Sequence, residues 1–102
     1  LAGIQRILSG DQYMTVYKAI KPQAEKAAEL AIDLVNGKKP KGDTTVSNDA
    51  GGNIQSFLLT PVAVTADKIE STVVKDEFYG PDSAAKICTA DYQAACTKYG
   101  IK

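Results

Sequence analysis

Between Pro22 and Gly37 runs the clearest helical pattern in the sequence, and it constrains the fold more than any other feature. Proline suits the first turn of a helix and glycine suits the exit, so the segment Lys21–Asn36 is predicted to be one helix. Ala24, Ala27, Ala28, Ala31, Leu34 and Val35 recur at helical spacing, with Leu30 and Ile32 widening the stripe, while Glu25, Lys26, Glu29 and Asp33 mostly occupy the other side. A stripe built of small alanines fits close packing of a helix on a sheet.

The flanking segments supply extended chain. Gln12–Lys18 (QYMTVYK) is rich in β-branched and aromatic residues and lies between Gly10-Asp11 and Pro22, which predicts a strand. Period two places Tyr13, Thr15 and Tyr17 on one face and Met14, Val16 and Lys18 on the other. Before it, Leu1, Ile4, Ile7 and Leu8 are helically spaced and Gly10 follows as the helix exit. From Lys38 to Asn53 the chain is punctuated by Pro40, Gly42, Asn48, Gly51 and Gly52 and reads as loop, with a short extended piece at Thr44–Val46. Pro61 splits the apolar run that follows into two extended pieces, Ile54–Leu59 and Val62–Thr65, because a central strand loses a ladder donor at proline. Thr65 is expected to cap a short helix that carries Ile69 and Val73 inward, and short helices are expected to start at Pro81-Asp82 and Asp91-Tyr92.

Strand, helix, extended pieces and further helices indicate an α/β protein. One strand and one long helix are too few for a whole doubly wound sheet, and residue 1 is Leu rather than Met. We therefore expect a stretch of a longer polypeptide, with any targeting segment upstream.

Composition narrows the function. Twelve basic and twelve acidic residues cancel, which argues against a broad electrostatic surface for nucleic acid or anionic membrane. Lys38, Lys39 and Lys41 form the one local cluster and sit among loop residues. No apolar run reaches the ~18 residues that a membrane-spanning helix needs. With no histidine, neither a Ser-His-Asp nor a Cys-His arrangement can form. There is no P-loop, no GxGxxG and hence no cofactor signature. Asn48–Asn53 has oxygen-bearing turn residues but not the carboxylate spacing of a calcium loop, and Asp76-Glu77 reads as a solvated turn. No catalytic constellation is visible, so an enzyme is not expected.

Cys88 and Cys96 cannot complete a zinc site without histidine, and their spacing is not a redox CxxC. They are either a structural disulfide or two packed free thiols. A continuous helix would hold their α-carbons about 12 Å apart, at about 1.5 Å per residue, whereas a disulfide tolerates about 7 Å. A bond would need the chain to turn between them, and Thr89-Ala90-Asp91 offers a stop and restart with Thr89 as N-cap. It would also indicate a compartment outside the reducing cytosol.

Several strings taken together resemble a family. LAGIQRI (Leu1–Ile7), QYMTVYK (Gln12–Lys18), AAELA (Ala27–Ala31), LLTPVAVT (Leu58–Thr65) and TVVKD (Thr72–Asp76) resemble, in this order, the C-terminal third of D-xylose-binding members of the type I periplasmic-binding-protein family. The likeness runs to about Tyr79, and the tail with Cys88 and Cys96 resembles only some members. It implies two α/β lobes with parallel sheets flanked by helices, joined by three hinge crossings and closing on a sugar. On that plan residues 1–17 end one lobe, 18–59 belong to the other, and 60–102 return to the first. The lysine ending the TVYK strand, Lys18 here, would reach the sugar from the hinge. Leu58–Thr65 would be the last crossing, with Thr60 and Pro61 in the hinge and proline stiffening it. A strand end at the mouth of an α/β sheet is a common ligand position, and an ammonium offers three donors.

The family's acidic ligand group and most other sugar contacts would lie before Leu1, so these residues alone are expected to bind xylose negligibly and to expose apolar surface that promotes self-association. The partners implied are a monosaccharide, ABC permease subunits and the remainder of the binding-protein chain. The location implied is periplasmic or extracellular, free or lipid-anchored through an upstream N-terminus. A sensing module that docks on a membrane kinase or chemoreceptor is the alternative from another class, and a lone α/β packing domain is a weaker third.

Overall fold

The computed structural model describes residues 1–102, which divide into two compact units: Leu1–Ala19 with Pro61–Lys102, and Ile20–Thr60. The chain passes between them twice, at Ala19–Ile20 and at Thr60–Pro61.

The first unit holds the buried core. Helix α1 (Ala2–Ser9) turns Ile4, Ile7 and Leu8 inward, the i, i+3, i+4 pattern of one helix face. Gly10 ends it in the left-handed region at φ 89°, where glycine lacks the Cβ clash that other residues suffer, and its N–H donates to the Ile7 carbonyl. Strand β1 is shorter than expected, Thr15–Tyr17. Gln12 is engaged elsewhere: its N–H donates to the Arg6 carbonyl and its Nε2 to the Met14 carbonyl. The strand then finds only three partners, with Thr15, Val16 and Tyr17 opposite Val64, Ala63 and Val62 of an antiparallel neighbour.

That neighbour, Val62–Val64, leads through a 3₁₀ turn (Ala66–Lys68) and a π-type turn (Glu70–Val74) that bury Ile69 and Val73, as the sequence predicts. Thr65 and Thr89 occupy N-cap positions but neither side chain caps a helix. The Thr65 hydroxyl donates instead to the adjacent Asp67 carboxylate, a stronger acceptor than a neutral oxygen. Two short helices follow, Ser83–Ile87 and Gln93–Tyr99, with a 3₁₀ turn at Ala90–Tyr92 before the second. Ile87, Cys96 and Ile101 join Ile4, Ile7, Leu8, Tyr17, Val64, Ile69 and Val73 in one cluster.

The second unit contains helix α2, Ile20–Val35, within a residue of the expected bounds. Its alanine stripe, however, is not covered: Ala24, Ala27, Ala28 and Ala31 are exposed, and Leu34 and Val35 are 62% and 88% exposed. The half-buried face is the one carrying Lys26, Leu30 and Asp33, where the Lys26 ammonium lies 5.1 Å from the centre of the Phe57 ring.

The extended piece expected at Thr44–Val46 and the start of the one expected at Ile54–Leu59 pair as a hairpin, which also takes in residues 47–53 of the expected loop. β2 (Thr44–Asn48) pairs antiparallel with β3 (Gly51–Ser56), with Val46 opposite Ile54 and an irregularity between Val46 and Asn48. The Asn48 carboxamide oxygen accepts from the N–H groups of Ala50 and Gly51, which closes the turn. The architecture is thus mixed helix and strand, and both strand pairs formed within the chain are antiparallel.

Candidate functional site

The chemically distinctive region is the end of β1. Tyr17 is 7% exposed, and its hydroxyl donates to the Asp76 carboxylate at 2.9 Å. Phe78 meets the Tyr17 ring edge-on, centroids 5.4 Å apart at 78°, and Tyr79 packs against Phe78 at 5.2 Å. Burial, then the hydrogen bond to Asp76 and its negative charge, push the Tyr17 phenol up to about 12. The Tyr79 phenol is also raised, by burial. Tyr17 is therefore a neutral donor across the physiological range.

Lys18 follows directly and is exposed, in no ion pair within the chain. It stands one residue past the end of the strand Thr15–Tyr17. The β1 pairing ends at Tyr17 opposite Val62, and Pro61, next along, has no N–H with which to extend it. Pro61 is the first residue of the chain's return to the first unit, and Thr60 is the last residue of the second. Lys18 and Pro61 therefore lie at the same end of one strand pair, while Thr60 lies just across the unit boundary.

Sequence reasoning missed the role of Asp76, which it read with Glu77 as a solvated turn. Both residues are exposed, but Asp76 holds Tyr17 across 59 positions of sequence. Only the TVVKD string singled out that aspartate, and nothing in its spacing names a partner.

The tail settles the two cysteine alternatives in favour of a disulfide, with Cys88 and Cys96 joined at an S–S distance of 2.00 Å.

No protein-family model matches the chain. It is 51% identical over 79 residues to the D-xylose-binding periplasmic protein of Escherichia coli (strain K12), a match that covers 78% of this chain and 24% of that protein. The D-xylose-binding periplasmic protein of Haemophilus influenzae is 42% identical over 83 residues, 81% of this chain and 25% of that one. The multiple sugar-binding periplasmic receptor ChvE of Rhizobium radiobacter is 30% identical over 83 residues, 80% and 23% respectively. The chain thus spans about a quarter of the length of the curated relatives it matches. Among solved structures, a carbohydrate transporter solute-binding protein from Chloroflexus aurantiacus, in complex with D-glucose, superposes with a TM-score of 0.70 at 24% identity, over 80% of this chain and 24% of that one. That likeness is one of fold.

Proposed function

We propose that this chain, homologous to the periplasmic sugar-binding proteins, forms part of an extracytoplasmic binding protein that captures a monosaccharide, D-xylose foremost, and hands it to an ABC permease. The observation that carries this reading is the 51% identity to a D-xylose-binding periplasmic protein. The ligand class is supported further by a second xylose-binding relative and by a multiple-sugar receptor.

On this reading Lys18 donates hydrogen bonds to sugar oxygens. Its ammonium is exposed and unpaired, so no internal ion pair has to be broken before it binds. An ammonium also donates to neutral hydroxyl or ring oxygens more strongly than a neutral group does. The two units correspond to parts of two lobes, and the passages at Ala19–Ile20 and Thr60–Pro61 to two hinge crossings. The fixed φ of Pro61, and the restriction it places on Thr60 before it, stiffen one crossing and direct its bending. The protein works by binding and closure rather than by catalysis, in the periplasm or outside the cell. A sensing role remains the second reading, favoured by one relative being a receptor by name.

Calorimetric titration of D-xylose and D-glucose into the native gene product carrying these residues tests the proposal. D-Xylose is expected to bind the more tightly, and Lys18→Ala to weaken it about tenfold or more, as for a lost charged hydrogen bond. A folded Lys18→Ala variant with undiminished xylose affinity would remove Lys18 from the site. Absence of any sugar binding by the native product would defeat the carrier reading itself.

A further inference from the structure

We infer that Asp76 is a positioning residue for Lys18 and acts through the hydroxyl of Tyr17, an inference that rests on the reading of Lys18 as a sugar contact. The main chain around Lys18 has little else to hold it. Strand pairing stops at Tyr17 opposite Val62, and Pro61 cannot donate to the position beyond. Lys18 itself is exposed and makes no ion pair. The last firmly held side chain before it is that of Tyr17, which is gripped at two points: the Asp76 carboxylate at 2.9 Å and the edge-on Phe78 ring at 5.4 Å.

Both grips belong to one turn, and that turn is anchored in the core. The Asp76 N–H donates to the Thr72 carbonyl at 2.9 Å and the Phe78 N–H to the Val73 carbonyl at 3.0 Å, with Val73 only 2% exposed. Lys18 is the next residue along the chain, one past the end of the strand Thr15–Tyr17. Fixing the Tyr17 ring and its hydroxyl therefore anchors the main chain from which Lys18 departs. A ring held by Phe78 alone could still slide or tilt; the hydrogen bond fixes the position of its far end.

The experiment is D-xylose titration of the native gene product carrying these residues, in the variants Tyr17→Phe, Asp76→Ala, Asp76→Asn, Lys18→Ala and Tyr17→Phe/Lys18→Ala. Tyr17→Phe keeps the ring contact with Phe78 and loses only the hydroxyl. Tyr17→Phe and Asp76→Ala should each weaken binding about three- to tenfold, the range of one hydrogen bond. Asp76→Asn, which retains an acceptor oxygen, should restore affinity to within about twofold of wild type. In the Lys18→Ala background Tyr17→Phe should have no further effect, because the group it positions is gone. Wild-type affinity in Tyr17→Phe and Asp76→Ala beside a weakened Lys18→Ala overturns this inference and leaves the Lys18 reading intact. So does an Asp76→Asn as weak as Asp76→Ala, or an additive double variant. A Lys18→Ala variant with undiminished affinity overturns the Lys18 reading first, and this inference with it.

Discussion

Cys88 and Cys96 lie 5.9 Å apart at their α-carbons although eight positions separate them. The helix Ser83–Ile87 stops at Cys88, a 3₁₀ turn spans Ala90–Tyr92, and the next helix begins at Gln93, so the chain doubles back where a continuous helix would have carried the cysteines apart. Cys96 is fully buried beside Ile87 in the core cluster. Closing so short a loop lowers the entropy of the unfolded chain by an amount equivalent to about 2.5 kcal/mol. Urea unfolding with and without reductant should differ by about that much, and Cys88→Ser should lose the same amount and become insensitive to reductant. Superimposable curves in both redox conditions would show that the bond contributes nothing.

The two units should respond oppositely to truncation of apolar side chains. Ile87 is fully buried, so Ile87→Ala should cost about 2–5 kcal/mol through lost burial and a residual cavity. Val35, at 88% exposed, contributes little contact, and Val35→Ala should fall within about 0.5 kcal/mol of wild type. Denaturation midpoints of the two variants decide this. A large cost for Val35→Ala would mean that other polypeptide covers the outer face of α2.

Local pattern and long-range contact were not equally legible in the residues. The α1 stripe with its Gly10 exit, the Ile20–Val35 helix, and the inward Ile69 and Val73 all rest on periodicity or on backbone demands within a few residues. The side of α2 that packs does not, because a helical repeat names an apolar face but not the element that will meet it. The pairing of the extended pieces at Thr44–Val46 and Ile54–Leu59 into a hairpin was not legible for a related reason. Val46 and Ile54 form its one apolar cross-strand pair amid polar residues and glycine, so the segment lacks the alternation that marks a half-buried strand. At the site, Lys18 was singled out by resemblance alone. Asp76 was passed over because its partner Tyr17 lies 59 positions away.

Gly42 is a further position where tertiary contact decides. A Cβ placed there would collide with the backbone nitrogen and oxygen of Ser56, and the Gly42 N–H donates to the Gln55 side chain at 3.0 Å. The obstruction is main chain, which cannot swing aside as a flexible side chain would. Gly42→Ala should therefore push the lead-in to β2 away from β3 and cost about 1–3 kcal/mol, the usual penalty of overpacking. Amide exchange in Thr44–Ser56 should accelerate in the variant while exchange in the first unit stays as it was. Unchanged protection of the hairpin would refute the contact.

The Tyr17 phenol makes stability depend on pH at the alkaline end. Its value of about 12 in the folded chain is raised first by burial, then by the bond to Asp76 and by that carboxylate's charge, whereas an unfolded tyrosine titrates near 10. Below about pH 10 both states keep the proton, and the contribution of Tyr17 is fully present. Between about 10 and 12 the unfolded state has released its proton and the folded state has not, so stability falls as pH rises through this window. Phenolate absorbance should show a component near 12 that disappears in Tyr17→Phe, which distinguishes it from the Tyr79 phenol that burial also raises. Asp76→Asn keeps an acceptor but removes the charge, so it should move that component down without abolishing it. If the high component survives intact in Tyr17→Phe, it belongs to another tyrosine, and the Tyr17–Asp76 bond is not what holds the proton.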